Sequence, residues 1–473
     1  MTADRDWSRW LQRNSAHGIS GISWQLFAWR VLFEARIQAL RPRLLGWSGF
    51  MHVFRRNSKK ASVLALMGVF TLLAAQSADA SVPPQAARDP LPQVSCGWPA
   101  VVNPSRLNFA FPETNATYWL MPYRLAQGDQ MVVDGTYPSA RFTSLTSYDV
   151  KGSPIDSLAD YKIAPSQGSR NPFSDPNAGT NSAQHKYKVT LKAGVAPGSG
   201  GNTLAGTSMS AASGVGILAL RIYVPDQTSD PAGSVPLPSL SIHRKDGSVR
   251  SISTCAKADS TQGPAGPLVG FLRKLVQDNA PPGGFEGCGK SSVQSPGFAI
   301  PNKASGLFPN PYNKYLCTPI SHESGRVAVV RGKAPTFPNT QLGQSVLTKT
   351  QLRYWSLCQN QWQLPYPASS CAADFQTALN KDGRYTFVVS TPQDRPANAT
   401  TTNRVTWLSW GPTNVSSILL FRNMLPAADF HNAVQDVGKG QNPASVMGDY
   451  FPTITYCTKA EFEKGGPDAC PAT

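Results

Sequence analysis

Four histidines (His185, His243, His322 and His431) and eight cysteines follow residue 80, and they are the side chains best suited to metal or nucleophilic chemistry. None of the histidines stands in an HxH or HExxH pattern and no pair of cysteines has CxxC spacing, so no metal site is predicted. Neither a phosphate-cradling glycine loop nor a dinucleotide fingerprint is present, so no cofactor is expected. Paired carboxylates could hydrolyse glycosides. Asp129 and Asp134 flank one strand, but Arg326 and Arg331 occupy the matching places of a second, similar segment. A denser signal lies in the last third of the chain. Trp355, Trp362, Tyr366, Trp407, Trp410 and Tyr450 gather near Asn360, Gln361, Arg422 and Asn423. Rings beside amides and guanidinium groups suit stacking on sugars or aromatic compounds. The candidate ligand-binding residues are therefore Arg353, Tyr354, Trp355, Asn360, Trp407, Trp410, Arg422, Asn423 and His431. The competing reading is that large aromatics simply fill a β-sandwich core.

The elements that would position these groups come from a comparison of the chain with itself. GDQMVVDGTYP (128–138) and GRVAVVRGKAP (325–335) share G-x-x-x-V-V-x-G-x-x-P at an offset of 197 residues. Each copy is followed by R-[FY]-x-S-L, at Arg141–Leu145 and Arg353–Leu357. The valine pairs favour strands, and the glycine and proline end them, so each copy reads as strand, turn, strand. Alternation places the aromatic ring and the serine of R-[FY]-x-S-L on one face. Further strands are predicted at Tyr187–Leu191, Gly216–Tyr223, Tyr385–Val389 and Ser417–Phe421. Helical spacing is confined to Leu268–Val276, Cys371–Leu379 and a short segment after Pro426 carrying Phe430, Val434 and Val437.

Composition agrees with that frame. The 473 residues include 39 Gly and 40 Pro, with only 15% charged residues. This excludes a helical bundle or coiled coil, while 41% hydrophobic residues exclude a disordered chain. The expected fold is mainly β: duplicated β-sandwich or jelly-roll-like units with a few short helices, held by disulfides.

Residues 51–80 read as a signal peptide: Arg55, Arg56, Lys59 and Lys60, then a 15-residue apolar run, then Ala78-Asp79-Ala80 as the cleavage site. The run is shorter than a spanning helix requires. Residues 1–50 are read as an extended or spurious start, with Met51 favoured over Met1 as the point of initiation. The remaining organisation is an N-terminal β-sandwich unit (81–254), a connector with a short helix (255–320) and a C-terminal unit (321–473). Removal of residues 1–80 lowers the formal charge from +16 to +9, spread without a basic block, so nucleic acid is not an expected partner. An even count of eight cysteines in an exported chain implies disulfides. Proximity favours Cys358–Cys371 and Cys457–Cys470. The expected location is secreted or periplasmic.

Two resemblances bear on function. Ala205-Gly206-Thr207-Ser208-Met209-Ser210 resembles the serine motif of subtilisin-like proteases, but the family's proline after that motif and its histidine and aspartate motifs are missing. The segments NATYWLMPYRLAQGDQMVVDGTYPSARFTSLTSYD, RYWSLCQN, DGRYTFVVS, VTWLSWGP and LLFRNMLP resemble, in order, bacterial exported tandem proteins of unknown function. That likeness implies a two-unit β-sandwich and assigns no activity. The sequence-level expectation is an exported protein that binds a small or polymeric ligand in its C-terminal half or between halves. The rivals are a secreted hydrolase or lyase with a non-standard site, and a structural envelope protein.

Overall fold

The computed structural model describes residues 91–208, 213–256, 266–279, 287–288, 291–301 and 308–471. The proposed leader, residues 1–80, and Met209–Ser210 of the serine-rich loop lie outside them.

The fold is mostly β, with four sheets and a few short helices. In chain order the first ten strands are β1 (Ala100–Val102), β2 (Ala116–Ala126), β3 (Gln130–Thr136), β4 (Ala140–Tyr148), β5 (Pro154–Ala159), β6 (Lys186–Lys192), β7 (Thr203–Ala205), β8 (Ser213–Pro225), β9 (Ser239–His243) and β10 (Val249–Ile252). They make two sheets, ordered β1-β2-β8-β4-β5 and β10-β9-β3-β6-β7. The next eight are β11 (Asn313–Ile320), β12 (Arg326–Lys333), β13 (Leu352–Gln361), β14 (Ala368–Ala373), β15 (Arg384–Ser390), β16 (Thr406–Ser409), β17 (Ser417–Pro426) and β18 (Thr453–Thr458). These form sheets ordered β11-β17-β13-β14 and β16-β15-β12-β18. The succession β2-β8-β4-β5 therefore has its counterpart in β11-β17-β13-β14, and β9-β3-β6-β7 in β18-β12-β15-β16. In each half a single parallel pair, β6 with β7 and β15 with β16, sits among antiparallel ones. The strand β11 falls inside the stretch read from sequence as connector, so the second pair of sheets begins earlier than residue 321.

The motif shared by the two halves has a direct physical basis. Gly128 and Gly325 take φ of +91° and +75° in the turns that open β3 and β12, a region that favours glycine. The later glycines, Gly135 and Gly332, lie opposite Tyr187 and Tyr385 across the strand pair. A Cβ there would meet the tyrosine hydroxyls at 2.8 and 2.4 Å, so the ring occupies the space that a side chain would need. Between them, Val133 and Val330 point into the two cores.

Each core lies between two sheets. Trp119, Leu145, Val189, Leu220 and Leu240 typify the first, and Trp355, Leu357, Phe387, Trp410 and Phe421 the second. All nine residues of β4 are buried, although only Leu145 and its same-face neighbours serve that core. The opposite face of β4 meets the opposite face of β13: Phe142, Tyr223, Tyr354 and Met424 form one apolar cluster drawn from both halves. R-[FY]-x-S-L thus spends its two faces on two different interfaces, with the aromatic and serine on the seam between halves.

Four disulfides bridge the chain: Cys96–Cys255, Cys288–Cys317, Cys358–Cys371 and Cys457–Cys470. Helix α1 (Gly266–Asp278) buries Leu268, Val269, Leu272 and Val276 against Leu120 and Ile217. Two shorter helices follow, α2 (Pro443–Met447) and α3 (Lys459–Gly465). The helices expected at 371–379 and after Pro426 are instead the end of β14 with a 3-10 turn (Asp374–Gln376), and a 3-10 turn at Val434–Asp436. In both places side chains capture backbone N–H groups before a helix can propagate. Asp374 accepts from Phe375 N and Trp355 N, and Asn423 accepts from Val434 N. Among the described residues no helix is long and apolar enough to cross a membrane.

Candidate functional site

The seam holds a dense set of buried polar groups among the described residues. Sequence places an arginine at the head of each R-[FY]-x-S-L strand, and each crosses to the other half. Arg141 of β4 pairs with Asp374 at 2.5 Å, with neither side chain exposed. Arg353 of β13 faces Asp160 at 3.6 Å and donates to the Arg141 carbonyl at 3.2 Å. The two aspartates are held alike. Asp160 accepts from Thr143 N and Tyr161 N, and Asp374 from Trp355 N and Phe375 N. Burial pushes both carboxyls up to about 6; the opposite arginine and the two backbone N–H groups offset only part of that rise. Such pairs fix how the halves meet more than they add stability.

A second node lies deeper. Glu113, which precedes β2, is fully buried, and its carboxylate accepts from Arg422 of β17 and from the Ser356 hydroxyl at 2.7 Å. Cys358 Sγ lies 3.3 Å from the same carboxylate oxygen. Glu113, Cys358 and Cys371 stand close enough to suggest a metal site, but the two sulfurs are joined to each other and offer no thiolate. Burial opposes the Arg422 charge, yet Glu113 and the neighbouring tyrosines hold its proton more tightly than usual. Around it runs a chain of hydroxyls and amides: Tyr118 to Tyr223 at 3.0 Å, and Asn313 to Tyr223 and Tyr315 at 3.2 Å each. Burial raises the Tyr118, Tyr223 and Tyr354 hydroxyls, so all three stay neutral.

At the rim of the seam three half-buried rings stack. Phe111 lies 5.6 Å from Trp362 and 5.0 Å from Tyr366, at interplanar angles of 23° and 18°. Backbone bonds from Ala110 N to Pro365 O and Phe111 N to Tyr366 O tie the two segments together. Ala110, Phe111 and Tyr366 all take φ near +60° (+58°, +59° and +62°), a conformation unfavourable for side-chain-bearing residues that the surrounding contacts must hold. Leu364, beside them, is 42% exposed.

A third constellation lies within the second half. His322 Nε2 is 3.2 Å from Asp394 Oδ2, and Asp394 also accepts from Gly325 N and the Thr391 hydroxyl. Burial works against the Asp394 carboxylate, but these donors together hold it below the usual range. The adjoining open cleft, about 560 Å³, is lined by Glu323, Arg326, Tyr456, Lys459 and Glu463 among others. Arg326 stacks on Tyr456 at 4.3 Å and pairs with Glu323 at 2.5 Å.

The residues singled out from sequence are dispersed. Arg353, Tyr354 and Arg422 lie on the seam. Trp355 and Trp410 are fully buried in the second core, and so present no ring face at the surface. Trp407 packs on the outer face of its sheet, half-buried under Arg395 at 4.7 Å, with its indole N–H on Ser390. Asn360 is fully buried. Asn423 holds the 434 turn, and His431 is exposed. Sequence reading missed Glu113, Asp160, Asp374, Phe111 and Asp394. For Glu113 and Phe111 a signal existed: Phe111-Pro112-Glu113 recurs as Phe308-Pro309-Asn310 at the same offset of 197.

No protein-family model matches the chain, and no curated protein matches it. Solved structures do match, among them two bacterial proteins. An uncharacterized protein from Burkholderia cenocepacia is 14% identical, with a TM-score of 0.45 over 78% of this chain and 83% of that one. A Vibrio parahaemolyticus protein is 11% identical, with a TM-score of 0.36 over 73% of this chain and 90% of that one.

Proposed function

We propose that the chain is an exported ligand-binding protein, built by duplication of one β-sandwich unit, whose binding surface is the aromatic rim of the seam. The mature chain would start after Ala80 and carry an N-terminal unit (81–254), a connector from residue 255, and a C-terminal unit that opens with β11 (Asn313–Ile320). Four disulfides support an oxidising compartment. The observation that carries the binding reading is the ring cluster of Phe111, Trp362 and Tyr366, contributed by both halves, with Phe111 and Tyr366 on backbone held at positive φ. A cluster of rings, Phe111 stacked on both Trp362 and Tyr366 while those two are tilted by 40°, supports contact with a sugar face or an aromatic compound, and fixed backbone lowers the cost of ordering it on binding. Titration of the mature protein with neutral oligosaccharides and aromatic acids, followed by tryptophan fluorescence, should give a saturable change. Phe111→Ala and Trp362→Ala should each weaken it about tenfold, equivalent to ~1.4 kcal/mol. A titration with no saturable change, or binding untouched by both substitutions, would refute this reading.

A hydrolase reading is favoured by one observation only, the His322–Asp394 pair beside an open cleft. A carboxylate that orients one ring nitrogen leaves the other for proton transfer. Turnover of chromogenic esters or glycosides, lost in His322→Ala and reduced in Asp394→Asn, would support it. No turnover on any such substrate would rule it out.

A further inference from the structure

The two halves present the same three-strand frame to the seam, and only one receives a carboxylate. In the second half Tyr315, Arg422 and Ser356 stand side by side across β11, β17 and β13. In the first half Tyr118, Arg221 and Ser144 stand side by side across β2, β8 and β4. Both guanidinium groups lie over their tyrosine ring, at 5.3 Å for Arg422 and 5.4 Å for Arg221. Each frame is approached by an arm from the opposite half. The arm Phe111-Pro112-Glu113 brings Glu113 to Arg422. The arm Phe308-Pro309-Asn310 reaches the Arg221 frame: Phe308 O accepts from Arg221 at 2.8 Å, and Pro309 O from Tyr148 at 2.8 Å. The arms are folded alike. Glu113 Oε1 accepts from Asn115 N and Asn310 Oδ1 from Tyr312 N, two residues on in each case, and Phe111 and Phe308 both have positive φ.

Where the first arm ends in a carboxylate, the second ends in a neutral amide. The atoms that would hold the missing carboxylate are unsatisfied among the described residues. Arg422 Nη1 and Ser356 Oγ converge on Glu113, whereas Arg221 Nη1 and Ser144 Oγ have no partner. The Thr146 hydroxyl, which stands where Cys358 does, makes no hydrogen bond of normal length. Arg221 is 3% exposed and Ser144 fully buried, and no carboxylate among the described residues pairs with Arg221. Its hydrogen-bond partners, the Tyr148 hydroxyl and the Phe308 carbonyl, are neutral. A guanidinium does not deprotonate in a protein, and a buried charge with no counter-ion is costly.

We propose that Arg221, with Ser144, binds the carboxylate group of a small ligand in the place that Glu113 fills in the other half. The site is separate from the aromatic rim and stands whether or not that surface binds a ligand. Thermal unfolding of the mature chain at fixed ionic strength, with sodium formate, sodium acetate or sodium chloride, tests it. Formate should raise Tm saturably, by roughly 1–3 °C, and chloride should not. Asn310→Glu, which supplies the carboxylate from within, should melt higher than the parent in plain buffer and lose the formate response. Arg221→Met should lose the response as well. Should Arg221→Met fail to fold, Asn310→Glu decides alone. A parent without a saturable response, an equal response to chloride, or an undiminished response in Asn310→Glu would each overturn the assignment.

Discussion

Arg422 and Arg221 occupy the same register position in two sheets of the same strand order, over the same kind of ring and beside the same serine. One has a glutamate from the opposite half; the other has an asparagine nearby and no carboxylate. Backbone geometry is thus retained where charge complement is not. The difference separates what a buried arginine contributes as packing from what it contributes as one member of an ion pair. A buried pair adds little over an apolar replacement, yet removal of one partner leaves the other stranded.

The largest expected effect follows from that asymmetry. Arg422→Met strands the Glu113 carboxylate and should lower the unfolding free energy by about 3–5 kcal/mol. Arg221→Met strands no carboxylate and should cost less, about 1–3 kcal/mol for the loss of its hydrogen bonds to Tyr148 and Phe308. Denaturant melts of the two variants side by side measure the gap. Equal losses would mean that Arg221 has an internal counter-ion.

The aspartate braces sharpen the comparison by pH. Asp374 and Asp160 each have a folded carboxyl raised to about 6, above the ordinary value of 3.8. The folded state therefore binds more protons than the unfolded state between those values. Their contribution to stability is fully present below about pH 4 and is lost as pH rises through 6, a span of about 3 kcal/mol per group. Asp374→Asn should remove one such span, so the difference between parent and variant stability should fall from pH 4 to 7. A difference that rises over that range would contradict the buried, partly compensated carboxylates described for the seam. The closer Arg141–Asp374 contact, 2.5 Å against 3.6 Å, marks the tighter of the two braces.

The paired glycines give a smaller contrast. Gly332→Ala drives a Cβ to 2.4 Å from the Tyr385 hydroxyl, and Gly135→Ala to 2.8 Å from that of Tyr187. Both rings are buried, at 1% and 2% exposure, so neither can swing clear. Overpacking of this kind costs about 1–3 kcal/mol, with Gly332→Ala expected to be the more damaging. Denaturant midpoints check the order.

How much of this could be read from residues depends on the range of the interaction. The valine pairs, the turn glycines and R-[FY]-x-S-L describe strands and their faces, because alternation is local. Which face met which partner was not legible. Trp355 and Tyr354 are neighbours in sequence, but one fills the second core and the other faces the seam. The rings chosen as a platform, Trp355 and Trp410, satisfy the aromatic pattern equally well as core, and burial took them. Glu113 escaped notice because its partner is 309 residues away, and nothing in the vicinity of an isolated acid marks it as buried. The repeated Phe-Pro dipeptide was a readable clue. Its change from Glu113 to Asn310 acquires meaning only once Arg422 and Arg221 are seen in the same frame.

The most direct test of the account is a pair of double-mutant cycles, Glu113→Gln with Arg422→Met and Asn310→Ala with Arg221→Met, read by denaturant unfolding in carboxylate-free buffer. A coupling of about 2–3 kcal/mol is expected for the first pair and below about 0.5 kcal/mol for the second. Couplings of equal size would contradict it, because the two arginines would then be equally satisfied from within the chain.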